Sequence, residues 1–349
     1  MKTVTVNAST KYDVLIGENL LDNIGTIIKE KIGACRICIV TDDTVSELYG
    51  KRAEDSLQQA DFDTVTFVFP HGEESKNTST LIELTEFLAK NRFTRSDAIV
   101  ALGGGVVGDL AGFAASVYLR GIKFVQVPTT LLAAVDSSVG GKTAVDLVAG
   151  KNLMGAFHQP SLVICDVKTL DTLPSQTFSD GCAEVIKYGV INDRAFFDEL
   201  KLGIKNNIEN VIAQCVAHKA DIVAQDEFDK GCRQLLNLGH TVGHAIEAYS
   251  NFEISHGSAV AIGMVVVTRI AVALDLCKSS ELDELIFILK SNGLPTNCPY
   301  SAMVLAEIAT VDKKRSGDAI SFVVPYGIGN CQLMKISVDE LVSFISKGL

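Results

Sequence analysis

Along the first half of the chain, short apolar, β-branched runs alternate with amphipathic stretches. RICIVTD, TVTFVFP, DAIVALGGG, KFVQVPTT and LVICDV have the length and composition of buried strands, and segments such as TSTLIELTEFLAKN repeat apolar residues at helical spacing. Strands alternating with helices predict an α/β domain with a largely parallel sheet. The leading MKTVTVNASTKYDVLIGENLL instead alternates apolar and polar positions, the pattern of a hairpin strand, without the uninterrupted apolar core of an export signal. After about Leu173 the strand pattern fades. FSDGCAEVIKYGV, NNIENVIAQCVAHKADIV, LLNLGHTVGHAIEAY, GSAVAIGMVVVTRIAVALD and SELDELIFILKSNG read as helices, until ISFVVPYGIGNCQLMKI near the end. The expected fold class is an α/β N-terminal domain followed by an all-α C-terminal domain. DTLPSQTFSDG, residues 171–181, interrupts both patterns with Pro, Ser and Gly, so the predicted domains are 1–173 and 174–349.

Length agrees with that division, because 349 residues at 47% apolar content exceed one ordinary core. A formal charge of -11 with scattered Lys and Arg argues against a nucleic-acid partner, leaving room for a small anionic substrate where basic groups converge locally. Nine cysteines without regular spacing predict reduced thiols in a cytoplasmic protein. Cys35 and Cys38 form a CxxC, but a strand through ACRICIV points them to opposite faces, which disfavours a shared metal or disulfide. SAVAIGMVVVTRIAVAL reaches membrane-spanning length, yet Arg269 lies well inside it, so a buried core helix is expected rather than a membrane partner.

The strand DAIVAL runs into GGGVVGDLAGFAASVY, where Gly103, Gly105 and Gly108 satisfy G-x-G-x-x-G at a strand-to-helix turn. Glycine there lets the backbone approach a pyrophosphate seated on the helix N-terminus, as in Rossmann-like sheets. Alone the motif is weak: it falls about 100 residues in, and no acidic residue closes a strand ~20 residues later. VQVPTTLLAAVDSSVGGKTAVD adds a second glycine-bearing, hydroxyl-rich loop with Thr129, Thr130, Asp136 and Lys142, and Lys151 and Asn152 follow. Three of the six histidines crowd into NLGHTVGHAIEAYSNFEISHG at His240, His244 and His256. His240 and His244 are four apart on a helical pattern and share a face, which outlines a metal site. Histidine does not neutralise a dication, so a carboxylate is wanted, and both Glu247 and Glu184 are candidates. The alternative is a set of hydrogen-bonded core histidines. The spacing is not HExxH, which removes the metalloprotease reading.

GGGVVGDLAGFAASVYLRG, VPTTLLAAVDSSVGGKTAVD, GKNLMGAFHQP, GCAEVIKYG, NLGHTVGHAIE and HGSAVAIGM together resemble the 3-dehydroquinate synthase family of sugar phosphate cyclases, from about residue 70 to 325. That resemblance implies one divalent metal, zinc with cobalt as the alternative, on Glu184, His240 and His256, and His244 as a proton-transfer group. It implies catalytic roles for Lys142, Lys187 and Asp136. Substrate contacts are expected at Arg120, Asp136, Lys142, Asn152, Lys187, Lys219, Arg233, Asn237 and one of Lys313 and Lys314. NAD is expected at Asp42, Glu73, Glu74 and Lys76, then at Gly104, Gly105, Val106, Val107, Gly108 and Asp109. Thr129, Thr130, Lys142, Lys151 and the run Thr169, Leu170, Asp171 and Thr172 complete the NAD set. The implied reaction converts 3-deoxy-D-arabino-heptulosonate 7-phosphate to 3-dehydroquinate and phosphate by transient NAD-dependent oxidation, phosphate elimination, reduction and intramolecular aldol closure, in a cytoplasmic homodimer. The alternative within enzymes is a 2-deoxy-scyllo-inosose synthase acting on glucose 6-phosphate. Epi-valiolone synthases fit less well because they replace the second histidine of GHTxGH. More distant are a metal-dependent polyol dehydrogenase and a non-catalytic NAD-binding protein.

Overall fold

The computed structural model describes residues 1–313 and 318–349, with side chains at 311–313 left aside. The chain forms two compact units, Met1–Leu173 with Ile212–Phe228, and Pro174–Val211 with Asp229–Leu349. The division at Leu173 lies beside the Pro174 punctuation. Most of the helix Ile208–Gln225 nevertheless counts with the first unit. An amphipathic pattern says that a face is buried, not against what.

In the first unit the leading segment forms the antiparallel hairpin β1 (Lys2–Val6) and β2 (Tyr12–Gly17). Then come β3 (Arg36–Asp42), β4 (Asp63–Phe69), β5 (Ala98–Gly103), β6 (Lys123–Pro128), β7 (Lys142–Leu147), β8 (Gly150–Phe157) and β9 (Leu162–Asp166). Among the described residues, a seven-stranded sheet runs β1-β2-β9-β6-β5-β3-β4, and every pairing after the first hairpin is parallel. β5 and β9 are buried at every residue, as parallel strands covered on both faces must be, which is why they read as continuous apolar runs. Parallel pairing brings the C-terminal ends of β3, β4, β5, β6 and β9 to one edge. From β3 the chain steps outward to β4, whereas from β5 it steps the other way to β6, so strand order reverses between β3 and β5. Ligands of open α/β sheets bind at such a reversal, beyond the strand ends.

The pair β7–β8 is a separate two-stranded ribbon with an irregularity between Val145 and Leu147. Its sequence reads as loop because β7 buries only Thr143 and Val145, while Leu153, Met154 and Phe157 on β8 are exposed, so no buried stripe runs through β8.

The second unit contains the helices Ser175–Asn192, His240–Tyr249, His256–Ala273, Ser279–Ser291 and Ala302–Lys313 and the late hairpin β10 (Ala319–Pro325) and β11 (Cys331–Ser337). LLNLGHTVGHAIEAY is not one helix, contrary to its periodicity. A 3-10 turn covers Cys232–Asn237, Gly239 adopts a left-handed φ of 78°, and the α-helix starts at His240. The break has a packing cause. A Cβ on Gly263 would lie 2.0 Å from the Gly239 carbonyl oxygen, so His240–Tyr249 and His256–Ala273 cross at backbone contact. The His256–Ala273 helix is long and apolar enough to span a membrane, but 78% of it is buried inside the protein, as a core helix is.

Cys35 precedes β3 and Cys38 lies inside it, and both are free thiols. Burial raises the pKa of each, that of Cys38 to about 12, so neither is activated as a nucleophile.

Candidate functional site

The residues singled out in the sequence fall into two groups, one at the sheet's strand ends and one among the helices of the second unit. At the first, Gly104 is the N-cap of the helix Gly105–Val117 and has no side chain to offer its amides. Uncapped N–H groups at a helix start favour an anion. A Cβ on Gly103 would stand 2.5 Å from Val107 Cγ2, so the turn closes only on glycine. The Thr129 amide donates to the Gly103 carbonyl at 3.0 Å, holding the end of β6 against this turn. Thr129 Oγ1 is itself buried with no hydrogen-bond partner among the described residues, an atom waiting for a ligand group.

The loop after β4 joins this edge. Lys76, buried, places Nζ 2.6 Å from Asp109 Oδ2 and donates to Asn152 Oδ1 at 2.6 Å. Burial alone would lower the Lys76 pKa, but Asp109 and Glu73 outweigh it and raise it. Burial pushes the Asp109 carboxyl up against the pull of Lys76. The Asp146 amide donates to Lys76 O at 2.8 Å and the Asn152 amide to Asp146 Oδ1 at 2.7 Å, so the β7–β8 ribbon is stitched to the Glu73–Lys76 turn. Lys151 reaches Glu73 at 3.9 Å, Lys142 heads β7 on an exposed position, and Glu74 accepts from Asn77 through its carbonyl. Thr130 accepts the Ala133 amide on its hydroxyl. Tyr49 Oη lies 2.5 Å from Thr172 Oγ1 and 3.1 Å from Thr169 O, a contact the sequence did not announce. Leu170 is buried and Asp171 exposed. Asp42 Oδ1 accepts the Val45 amide at 2.8 Å, and burial raises its carboxyl pKa, so this group also caps a short helix. Lys219 Nζ bonds both Oδ1 and the carbonyl of Asp136, at 2.8 Å for the latter. Arg120 is exposed with a φ of 68° and makes none of these contacts.

The second group is assembled from side chains. Glu184 comes from the middle of Ser175–Asn192, His240 from the first position of its helix and His256 from the first position of the next. His240 Nε2 lies 3.6 Å and His256 Nε2 3.5 Å from the same Glu184 Oε1. The other ring nitrogens are anchored. His240 Nδ1 lies 3.0 Å from the Leu238 carbonyl, and His256 Nδ1 3.1 Å from Glu247 Oε2. Both partners accept only, so each Nδ1 carries a proton, which leaves each Nε2 as the atom that would offer a lone pair to an ion. Glu184, His240 and His256 offer ligand atoms within 4.8 Å of one another, and so do His244, Glu247 and His256. In the second set, His256 Nδ1 is the nitrogen that faces Glu247, at 3.1 Å. Burial drives the His240 pKa down to about 3. Burial also opposes charge on His256, but the Glu184 and Glu247 carboxylates push that pKa up to about 10.

Lys187 pairs with Glu184 one turn along, both 1% exposed in the side chain, and its Nζ sits 5.2 Å from the Tyr188 ring centroid. Arg233, 2% exposed, and Asn237, exposed, lie on the 3-10 turn rather than in helical phase with His240, which corrects the continuous-helix expectation. His244 is exposed, its ring 5.4 Å from that of His240. Lys313 and Lys314 lie outside the described residues and side chains. Sequence reasoning missed Asp180, four residues before Glu184, which reaches the start of the His256 helix.

A family model described as the 3-dehydroquinate synthase N-terminal domain matches residues 66–180, and one for the C-terminal domain matches 181–315. The chain is 43% identical to a 3-dehydroquinate synthase of Pelobacter propionicus over 98% of both chains. Among solved structures it is similar to a 2-deoxy-scyllo-inosose synthase complexed with carbaglucose-6-phosphate, NAD+ and Co2+, with a TM-score of 0.89 at 27% identity over 100% of both chains. It is also similar to a 2-epi-5-epi-valiolone synthase from Streptomyces hygroscopicus with NAD+ and Zn2+ bound, with a TM-score of 0.88 at 26% identity over 98% of both chains.

Proposed function

The chain belongs to the 3-dehydroquinate synthase family, and on that premise we propose how its residues divide the work of a phosphate-eliminating cyclase. The reaction takes 3-deoxy-D-arabino-heptulosonate 7-phosphate to 3-dehydroquinate and phosphate. The observation that carries the assignment is the pair of histidine Nε2 atoms facing one carboxylate oxygen. Ligand atoms about 2.1 Å from a tetrahedral ion stand about 3.4 Å apart, and the two N···O separations are 3.5 and 3.6 Å. Two neutral imidazoles and one carboxylate suit zinc, with cobalt as the alternative, and three protein ligands leave a position for substrate. Glu247 and the Leu238 carbonyl then orient the imidazoles without touching the ion.

At the sheet edge, the bare turn Gly103–Gly105, the uncapped helix start and the orphaned Thr129 hydroxyl fit the pyrophosphate of NAD. When bound, NAD supplies reversible hydride acceptance and the ion supplies Lewis acidity. The chain's own side chains do the rest. Lys187, held by Glu184, and Arg233, buried, supply cationic sites for the substrate's anions, and Asn237 adds a polar contact. Lys142, Lys219 and Asn152 contact substrate in the same reading, with Asp136 fixing the Lys219 ammonium. His244, exposed and not required as a ligand, moves protons at its ring nitrogens.

A cytoplasmic homodimer completes the proposal. Supporting it, the β7–β8 ribbon exposes the apolar side chains Leu147, Val148, Leu153, Met154 and Phe157, which a second copy would cover. The deciding experiment is incubation with the heptulosonate phosphate, NAD and zinc, following phosphate and dehydroquinate together. Equal release of both is expected. Phosphate without dehydroquinate, or neither product, would reject the activity.

A further inference from the structure

We infer that Asp180 is a positioning residue that locks two metal ligands onto one rigid frame, an inference that rests on the proposed metal site. Asp180 sits one turn before Glu184 on Ser175–Asn192. Its carboxylate leaves that helix and meets the start of the helix that His256 opens. The Ser258 amide donates to Asp180 Oδ1 at 3.1 Å, and the Ser255 hydroxyl donates to the same oxygen at 2.6 Å. Ser258 Oγ at 3.3 Å and Gln176 Nε2 at 3.3 Å complete the set.

This arrangement replaces the usual local cap. Ser255 is the N-cap residue of His256–Ala273, yet its side chain makes no cap hydrogen bond to its own helix. It donates a hydrogen bond to Asp180, and Asp180 accepts the amide of the third helical residue, the bond an N-cap side chain normally makes. The cap is thus delivered from the helix that carries Glu184. A carboxylate at a helix N-terminus is also favoured by the peptide dipoles. Backbone contact reinforces the join, since a Cβ on Gly257 would lie 2.3 Å from Asp180 Cα and from Asp180 O. Glu184 is i+4 from Asp180, and His256 lies between Ser255 and Ser258. The clasp therefore fixes the 3.5 Å separation between Glu184 Oε1 and His256 Nε2. His240 is placed by a different device, the close helix crossing at Gly239 and Gly263.

A ligand set held this way is preorganised, and partners that orient ligands are worth about 10- to 100-fold in metal affinity. The test compares parent, Asp180→Ala, Asp180→Asn and Ser255→Ala by zinc affinity in chelator competition and by the visible absorption of the cobalt(II)-loaded protein. Asp180→Ala should bind zinc about 10- to 100-fold more weakly and show an altered cobalt band. Asp180→Asn, which keeps the acceptor oxygen, should recover most of the affinity, and Ser255→Ala should fall between it and the parent. Should Asp180→Ala fail to fold, Asp180→Ser, which keeps a polar group but shortens the reach to Ser258, decides: zinc affinity weakened about 10-fold or more with an altered cobalt band is expected, and parent affinity with the parent cobalt spectrum overturns the inference. Parent-like zinc affinity in a folded Asp180→Ala overturns it as well. If the parent itself binds no zinc while His240→Ala behaves identically, the metal reading fails, and the inference falls with it.

Discussion

The strand-end turns of the first unit and the histidine cluster of the second reach function by opposite routes. The first is made largely of main chain: parallel pairing delivers five strand ends to one edge, and glycines strip the turn so that amides are left facing outward. The second is made of side chains buried at a cost, with Glu184, Lys187 and Arg233 all 2% exposed or less. Topology builds the first site almost for free, whereas the second needs each charge to be answered by another. The first should therefore fail when backbone space is lost, and the second when one charge is lost.

The largest expected effect lies at the cluster. Removing one member of a buried ion pair costs about 3–5 kcal/mol, and Glu184 pairs with Lys187 and, in the proposed assignment, also holds the ion. Glu184→Gln should yield protein without bound zinc by elemental analysis, while Glu247→Gln should still bind zinc, with affinity weakened about 10- to 100-fold. If Glu247→Gln loses the metal and Glu184→Gln keeps it, the ligand assignment is reversed.

Next comes Arg233→Lys, which keeps the charge but not the planar fork. Bidentate pairing of a buried guanidinium with a substrate carboxylate contributes about 2 kcal/mol, so the variant's kcat/KM for the heptulosonate phosphate should fall roughly 30-fold. Steady-state kinetics unchanged in this variant, or glucose 6-phosphate turned over as well by the parent, would move the protein to the inosose synthase reading.

At the other site, Gly103→Ala forces a Cβ into Val107, 2.5 Å away. NAD affinity measured by calorimetry should drop about tenfold or more, the loss of about 1.4 kcal/mol of binding. Zinc affinity should stay at the parent value. A parallel loss of zinc would show that the two sites are not built independently.

The readability of the two regions from sequence differs for the same reason. A parallel strand buried on both faces is a continuous apolar run, so β3, β5, β6 and β9 are visible in the sequence, and their ends mark the edge proposed for the nucleotide. The β7–β8 ribbon is not visible there because the apolar residues of β8, Leu153, Met154 and Phe157, are exposed, and only the short stripe of Thr143 and Val145 on β7 is buried. In the second unit, spacing brings His240, His244 and His256 to notice but leaves Glu184 and Glu247 equal. The family resemblance favours Glu184, and the fold adds that Glu184 faces His256 Nε2 while Glu247 faces its Nδ1. The break at Gly239 is hidden because apolar periodicity continues through it, and Asp180 because its partner lies 78 residues away.

A smaller effect follows from protonation. Without metal, the His256 pKa is raised from 6.5 to about 10 in the folded chain. A raised histidine stabilises fully below about pH 6.5 and loses that contribution as pH rises through about 10. The melting temperature of the chelator-treated protein should therefore fall between pH 7 and pH 10. In the zinc-loaded protein, where Nε2 is a ligand rather than a proton carrier, the decline should be shallower. Identical slopes with and without zinc would remove His256 from the ligand set.

In the proposed reaction, hydride leaves and returns to the same substrate while phosphate is lost. Absorbance at the nicotinamide band, recorded during turnover of the heptulosonate phosphate together with released phosphate, tests this directly. Phosphate should accumulate over many turnovers with no net NADH. A rise in NADH matching product would contradict the claim and place the chain's chemistry with the dehydrogenases.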